Sequence, residues 1–87
     1  MEVRIVFENS KLKQRYEKDN QKKHLNRSFL KLRTSPFSGI QIPKRLIPKR
    51  YKHDNFWKLN LPGANRLLYS IKSDDKILLI IIIDWMD

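Results

Sequence analysis

The chain has 87 residues, 40% of them apolar, which is enough for one thin core and too little for two. Nineteen Lys and Arg stand against nine Asp and Glu, a formal net charge of +10, and a field of that sign selects polyanions or an acidic protein partner. Cysteine is absent, which excludes disulfides, thiolate metal sites and cysteine nucleophiles, while two glycines leave no Gly-rich phosphate loop.

The first segment, Val3-Arg4-Ile5-Val6-Phe7, alternates and predicts a short strand. Asn9 or Ser10 can cap a helix through Lys18, with Leu12 and Tyr16 four apart on one face. Asp19-Asn20 breaks it and can cap a second helix from Gln21 to about Arg33, where Leu25, Ser28, Phe29 and Leu32 form an apolar stripe. Ser35-Pro36 ends that helix, because the residue before proline is pushed out of the helical region.

Next comes Ile42-Pro43-Lys44-Arg45-Leu46-Ile47-Pro48-Lys49-Arg50, a five-residue unit written twice. Two prolines exclude a central strand and predict an edge strand or extended loop. The odd period points the two Lys-Arg pairs in different directions, as a segment wrapping a ligand would. A solvated edge guarded by Pro and Lys explains the same residues equally well. His53, beside Lys52, can shuttle protons near neutrality or be an ordinary loop histidine. His24 and His53 have no metal-site spacing, so no metal and no cofactor are expected.

The last third reads as strands. Trp57, Leu59 and Leu61 share one face, with Lys58 and Asn60 on the other. Pro62-Gly63-Ala64 is a turn, after which Leu67, Tyr69 and Ile71 share a face and Arg66, Leu68 and Ser70 the opposite one. A second turn at Ser73–Lys76 leads into Ile77–Ile83, apolar on both sides and rich in β-branched residues, as a central strand is. A three-residue loop pairs Trp57 with Tyr69 and Leu59 with Leu67; a two-residue loop at Asp74-Asp75 pairs Tyr69 with Ile80 and Leu67 with Ile82. Leu79, Ile81 and Ile83 then form an apolar strip opposite the core with no evident cover, which suits a partner.

The charge is unevenly spread: +6 over residues 1–35, +4 over 36–55 and zero over 56–87. No paired carboxylates or Ser-His-Asp trio can be assembled. The available chemistry is cationic, and it suits RNA, whose 2′-hydroxyl is a built-in nucleophile. Arg66 can hold a phosphoryl group with its fork, and Lys58, on the same face of the adjacent strand, can move a proton among neighbouring cations. Lys44, Arg45, Lys49, Arg50, Lys52 and His53 are the candidate RNA-binding set. The longest apolar run has seven residues against the roughly 20 of a spanning helix, and the N-terminus has no signal-peptide pattern. A cytoplasmic protein without membrane contact is therefore expected.

The order of a strand, a helical hairpin with a basic second helix, Leu32-x-x-x-Pro36-x-x-Gly39, Phe56-Trp57-Lys58-Leu59-Asn60-Leu61 and Asn65-Arg66-Leu67-Leu68-Tyr69-Ser70-Ile71 resembles the RelE/ParE superfamily of type II toxins over essentially the whole chain. The resemblance implies an α+β domain spanning 1–87: an N-terminal strand, a two-helix hairpin, then an antiparallel meander, with both helices on one sheet face. It further implies a ribosome-dependent, metal-independent mRNA endoribonuclease held in check by a cognate antitoxin. Lys58 and Arg66 match the family pattern. Asn60 replaces a second Lys, Trp85-Met86-Asp87 replaces a C-terminal Arg or His, and the family's terminal Tyr would fall beyond Asp87, as in a domain short of its tail. These departures leave two alternatives open: a catalytically degenerate RNA-binding relative, and a gyrase-inhibiting toxin of the ParE branch.

Overall fold

Asn9 starts the first helix as its spacing predicts: its backbone is extended (φ −152°) and its side chain accepts a hydrogen bond from the Leu12 amide at 3.0 Å. The computed structural model describes residues 1–86. In chain order it contains β1 (Glu2–Phe7), α1 (Ser10–Lys18), α2 (Lys22–Thr34), β2 (Ile40–Gln41), β3 (Trp57–Leu61), β4 (Asn65–Ser73) and β5 (Ile77–Met86). Asp19 separates the helices, its amide closing α1 on Tyr16 and its carboxylate accepting from the Gln21 amide at 2.8 Å. No helix is long and apolar enough to cross a membrane.

The fold is a small α+β unit whose five strands run in the order β1-β5-β4-β3-β2. The meander β3-β4-β5 is antiparallel, but β1 joins the outer side of β5 in parallel, pairing Glu2 with Ile77 through Phe7 with Ile82. The sheet is therefore mixed, not the purely antiparallel one expected. The reason is that β5 is apolar and needs a neighbour on each edge; β1 supplies one and brings Val3, Ile5 and Phe7 against the core. That core holds Leu25 and Leu32 of α2 against Leu59, Leu67, Tyr69, Ile80, Ile82 and Trp85.

The expected β3–β4 register is the one observed, with Trp57 opposite Tyr69, Leu59 opposite Leu67 and Leu61 opposite Asn65. The β4–β5 register differs. Tyr69 faces Ile82 and Ile71 faces Ile80, a slide of two residues that keeps the same side chains inward. The turn has moved by one residue: Ser73 pairs with Leu78 and the Asp74 amide bonds Ile77 O at 2.9 Å, which puts Asp75-Lys76 at its tip. Beyond Tyr69 the partner of Leu68 becomes Asp84, leaving Ile83 as the extra residue of a bulge. The bulge returns Trp85 to the helix-covered core, while Ile83 stays on the other face, where alternation with Leu79 and Ile81 puts it.

That second face is not bare, as the sequence led us to expect. Residues 42–56 fold across it, and Ile83, 3% exposed, packs with Phe56 and Leu68, flanked by Ile42, Ile47, Tyr51 and Met86. Leu79 and Ile81 are half-buried. β2 was not anticipated because two residues carry no readable period. It enters the sheet beside Gly39, where a Cβ would stand 2.6 Å from Lys58 O and 2.2 Å from the Tyr69 hydroxyl, so only glycine fits.

Candidate nucleic-acid interface

Alternation along β3 and β4 sets the cations of the site. Lys58 lies opposite Leu68, and Arg66 lies opposite Asn60. Lys58 and Arg66 are thus diagonal neighbours across the strand pair, a relation that spaces residues by about 7–8 Å. Both line one groove of about 410 Å³ on the sheet face away from the helices. Its floor is apolar, built by Phe56, Leu68 and Met86.

The wall comes from the segment that crosses this face. The Ile42 amide donates to Phe56 O at 2.8 Å, closing the two ends of the segment on each other. Phe56 stacks on Tyr51, with ring centroids 5.1 Å apart and an interplanar angle of 26°. The Arg50 guanidinium lies 4.8 Å from the Tyr51 ring centre and donates from Nη2 to the Tyr51 hydroxyl at 3.1 Å. Arg50 and Tyr51 both line the groove with Lys58 and Arg66.

Asn55 anchors this wall. It occupies the position that would continue the β3–β4 register past Trp57, and its amide acts in place of a strand peptide. Its Oδ1 accepts from the Ile71 amide at 2.7 Å and from Ser70 Oγ at 3.2 Å, and its Nδ2 donates to Ile71 O at 2.7 Å. A second tie joins His53 Nε2 to Glu8 Oε2, 45 residues away, at 2.5 Å.

The candidate set from the sequence is therefore divided. Lys58, Arg66 and Arg50 share the groove. Lys44 and Arg45 lie on a single 3₁₀ turn and, like Lys49, are exposed without lining it. Lys52 and His53 border a separate cleft with Ser70 and Lys72. Both halves of the repeat border the groove, Ile42, Pro43 and Leu46 from the first and Pro48, Arg50 and Tyr51 from the second, but of the two Lys-Arg pairs only Arg50 lines it. Of the three C-terminal residues singled out in the sequence, Met86 stands in the groove, Trp85 in the core, and Asp87 lies outside the described residues.

Sequence reasoning missed Tyr51 and Phe56. Their signal was present as aromatic residues interleaved with Arg50, Lys52 and Lys58, the alternation of ring and cation that suits bases and phosphates. No carboxylate lines the groove among the described residues. Asp84, opposite Leu68 on β5, is held by Arg15 Nη1 at 2.6 Å. Chemically the groove offers cations for a phosphodiester, an apolar floor for an unstacked base and a phenolic hydroxyl beside a guanidinium.

No protein-family model matches this chain, and neither a curated protein nor a solved structure does.

Proposed function

We propose that this chain is a RelE-like toxin of a type II toxin–antitoxin pair, a cytoplasmic endoribonuclease that cuts mRNA on the ribosome without a metal. The observation that carries the reading is the convergence of Lys58, Arg66, Arg50 and Tyr51 on one groove with an apolar floor. In the proposed reaction the 2′-hydroxyl oxygen attacks the adjacent phosphorus and the bond to the 5′-oxygen breaks. The products are a 2′,3′-cyclic phosphate and a free 5′-hydroxyl. Arg66 steadies charge on the non-bridging oxygens, where two parallel hydrogen bonds are worth most. The Tyr51 hydroxyl, oriented by Arg50, hydrogen-bonds the attacking 2′-oxygen while water takes its proton, and Lys58 donates a proton to the leaving oxygen. An acidic antitoxin segment complements the +10 chain and covers the same face.

Asn60, opposite Arg66, favours a second reading in which the groove binds RNA without turnover. Primer extension on mRNA translated in vitro separates the two. Wild type is expected to leave discrete stops, and Arg66→Ala to reduce them by about 100-fold, the scale of one lost charge-stabilising donor. Salt-sensitive RNA binding with no stops for wild type would reject the enzyme and leave the binding module. DNA damage without translation arrest on expression would point to gyrase instead.

A further inference from the structure

A second cationic cleft lies around the corner from the groove, between α2 and the outer edge of β3. β2 pairs only with Trp57 and Lys58, so the edge of β3 beyond them is left without a strand neighbour. His24, Arg27 and Lys31 recur on one side of α2 and line a cleft of about 130 Å³ against Leu59 and Asn60. Among the described residues neither the Arg27 nor the Lys31 side chain has an ion pair or hydrogen bond. His24 Nδ1 is buried there with no hydrogen-bond partner. Charge held this close without an acid to answer it is a site in want of an anion.

Asn60 joins the two places: it faces Arg66 across the β3–β4 register, follows Lys58 by two residues on the same strand face, and lines the α2 cleft. We propose that this cleft is a second phosphate site, and that single-stranded RNA leaving the groove passes Asn60 and sets a downstream phosphate between Arg27 and Lys31. The inference rests on the RNA reading of the groove and adds the path of the strand. One helical turn separates Arg27 from Lys31, a rise of about 6 Å, so their two charged ends can flank one phosphate. The Asn60 amide, with both a donor and an acceptor, suits a ribose hydroxyl between the two phosphates.

The test measures binding of fluorescein-labelled oligouridylates of three and twelve nucleotides across a salt series. For Arg27→Gln/Lys31→Gln, the twelve-mer should bind at least fivefold more weakly. Its slope of log affinity against log salt should fall by about 1.4, from about 0.7 per contact on a single strand. The three-mer, confined to the groove, should be unaffected. Arg27 and Lys31 are exposed, so the fold is not at stake. Lys11→Gln/Lys13→Gln on α1 removes the same charge from exposed positions elsewhere and should change neither probe. Equal weakening by both double variants, or none by either, overturns the second site while wild-type binding keeps the groove. Weakened binding of polyglutamate alone would assign the cleft to an acidic protein and overturn it too. Failure of wild type to bind either RNA overturns the groove reading and the inference with it.

Discussion

Asn55→Ala tests how the wall of the groove is attached. The substitution removes three hydrogen bonds, two to the Ile71 main chain and one to Ser70. Ile71 lies beyond the last β3–β4 strand pair, Trp57 with Tyr69, and is only 8% exposed, so water replaces the Asn55 amide poorly. At roughly 1 kcal/mol for each main-chain bond and less for the hydroxyl, the loss should be about 2–3 kcal/mol. For a domain of this size each kcal/mol moves the midpoint by about 4–8 °C, so Tm should fall by roughly 10–20 °C. Thermal unfolding followed by circular dichroism measures it. His53→Ala removes the other tie, a partly exposed contact worth no more than about 1 kcal/mol, and should shift Tm far less. At a temperature where all three proteins are folded, Asn55→Ala should also bind RNA more weakly, since Phe56 and Tyr51 lose their anchor. A Tm within 3 °C of wild type would show that Ile71 is satisfied some other way, and the account of the wall would be wrong.

Two further outcomes follow from buried polar groups. Trp85, 3% exposed, donates from Nε1 to Asp19 at 2.8 Å; that bond, with the Gln21 amide and Arg15, holds the Asp19 carboxyl below its ordinary range against the opposing effect of burial. Asp19→Ala should therefore cost about 1–3 kcal/mol at neutral pH by orphaning the indole. Because folding lowers the Asp19 pKa, that carboxylate's ionic contribution is full above about 4 and lost as pH falls through the folded value, so the stability gap from Asp19→Asn should close in acid urea titrations. Tyr69 is the opposite case: burial raises its pKa, only partly offset by the Gly39 backbone close by, which does not reach hydrogen-bonding geometry with the hydroxyl. Tyr69→Phe should hold or gain up to about 1 kcal/mol. Wild type should lose stability as pH climbs past about 10, where the unfolded phenol ionises first, and Tyr69→Phe should lose less; an identical alkaline limb in both would refute the burial argument.

What could be read from the sequence was what is encoded locally. The Asn9 cap, the ends of α1 and the faces of β3 and β4 depend on neighbours within a few residues, and each is where its spacing puts it. The β4–β5 register was not legible because Ile77–Ile83 is uniformly apolar and contains no polar residue to set its phase. With nothing to choose between slides of two residues, the turn decided. The parallel seat of β1 was hidden for a related reason: alternation says which face a strand buries, never which edge it joins. Of the site, Lys58 and Arg66 were legible from strand alternation, whereas Arg50 and Tyr51 depend on the route of residues 42–56. His53 was unreadable because its partner, Glu8, is 45 residues distant.

The bulge at Ile83 links these matters to the groove. An unbroken β5 would keep its even-numbered residues inward to the end, putting Asp84 and Met86 under the helices and Trp85 on the open face. One extra residue exchanges them: Trp85 enters the core, where its indole reaches Asp19, and Met86 becomes part of the groove floor. Ile83, on the open face with or without the bulge, supports Phe56. Phe56 in turn backs Tyr51, which receives Arg50. The apolar floor thus takes Met86 from the bulge, while the cationic wall rests on Ile83, which strand alternation alone keeps on the open face. This also explains why the second half of the proline repeat, ending in Tyr51, builds the groove wall: Tyr51 has an aromatic surface to stack on. Leu46, at the matching place in the first half, remains 61% exposed at the rim.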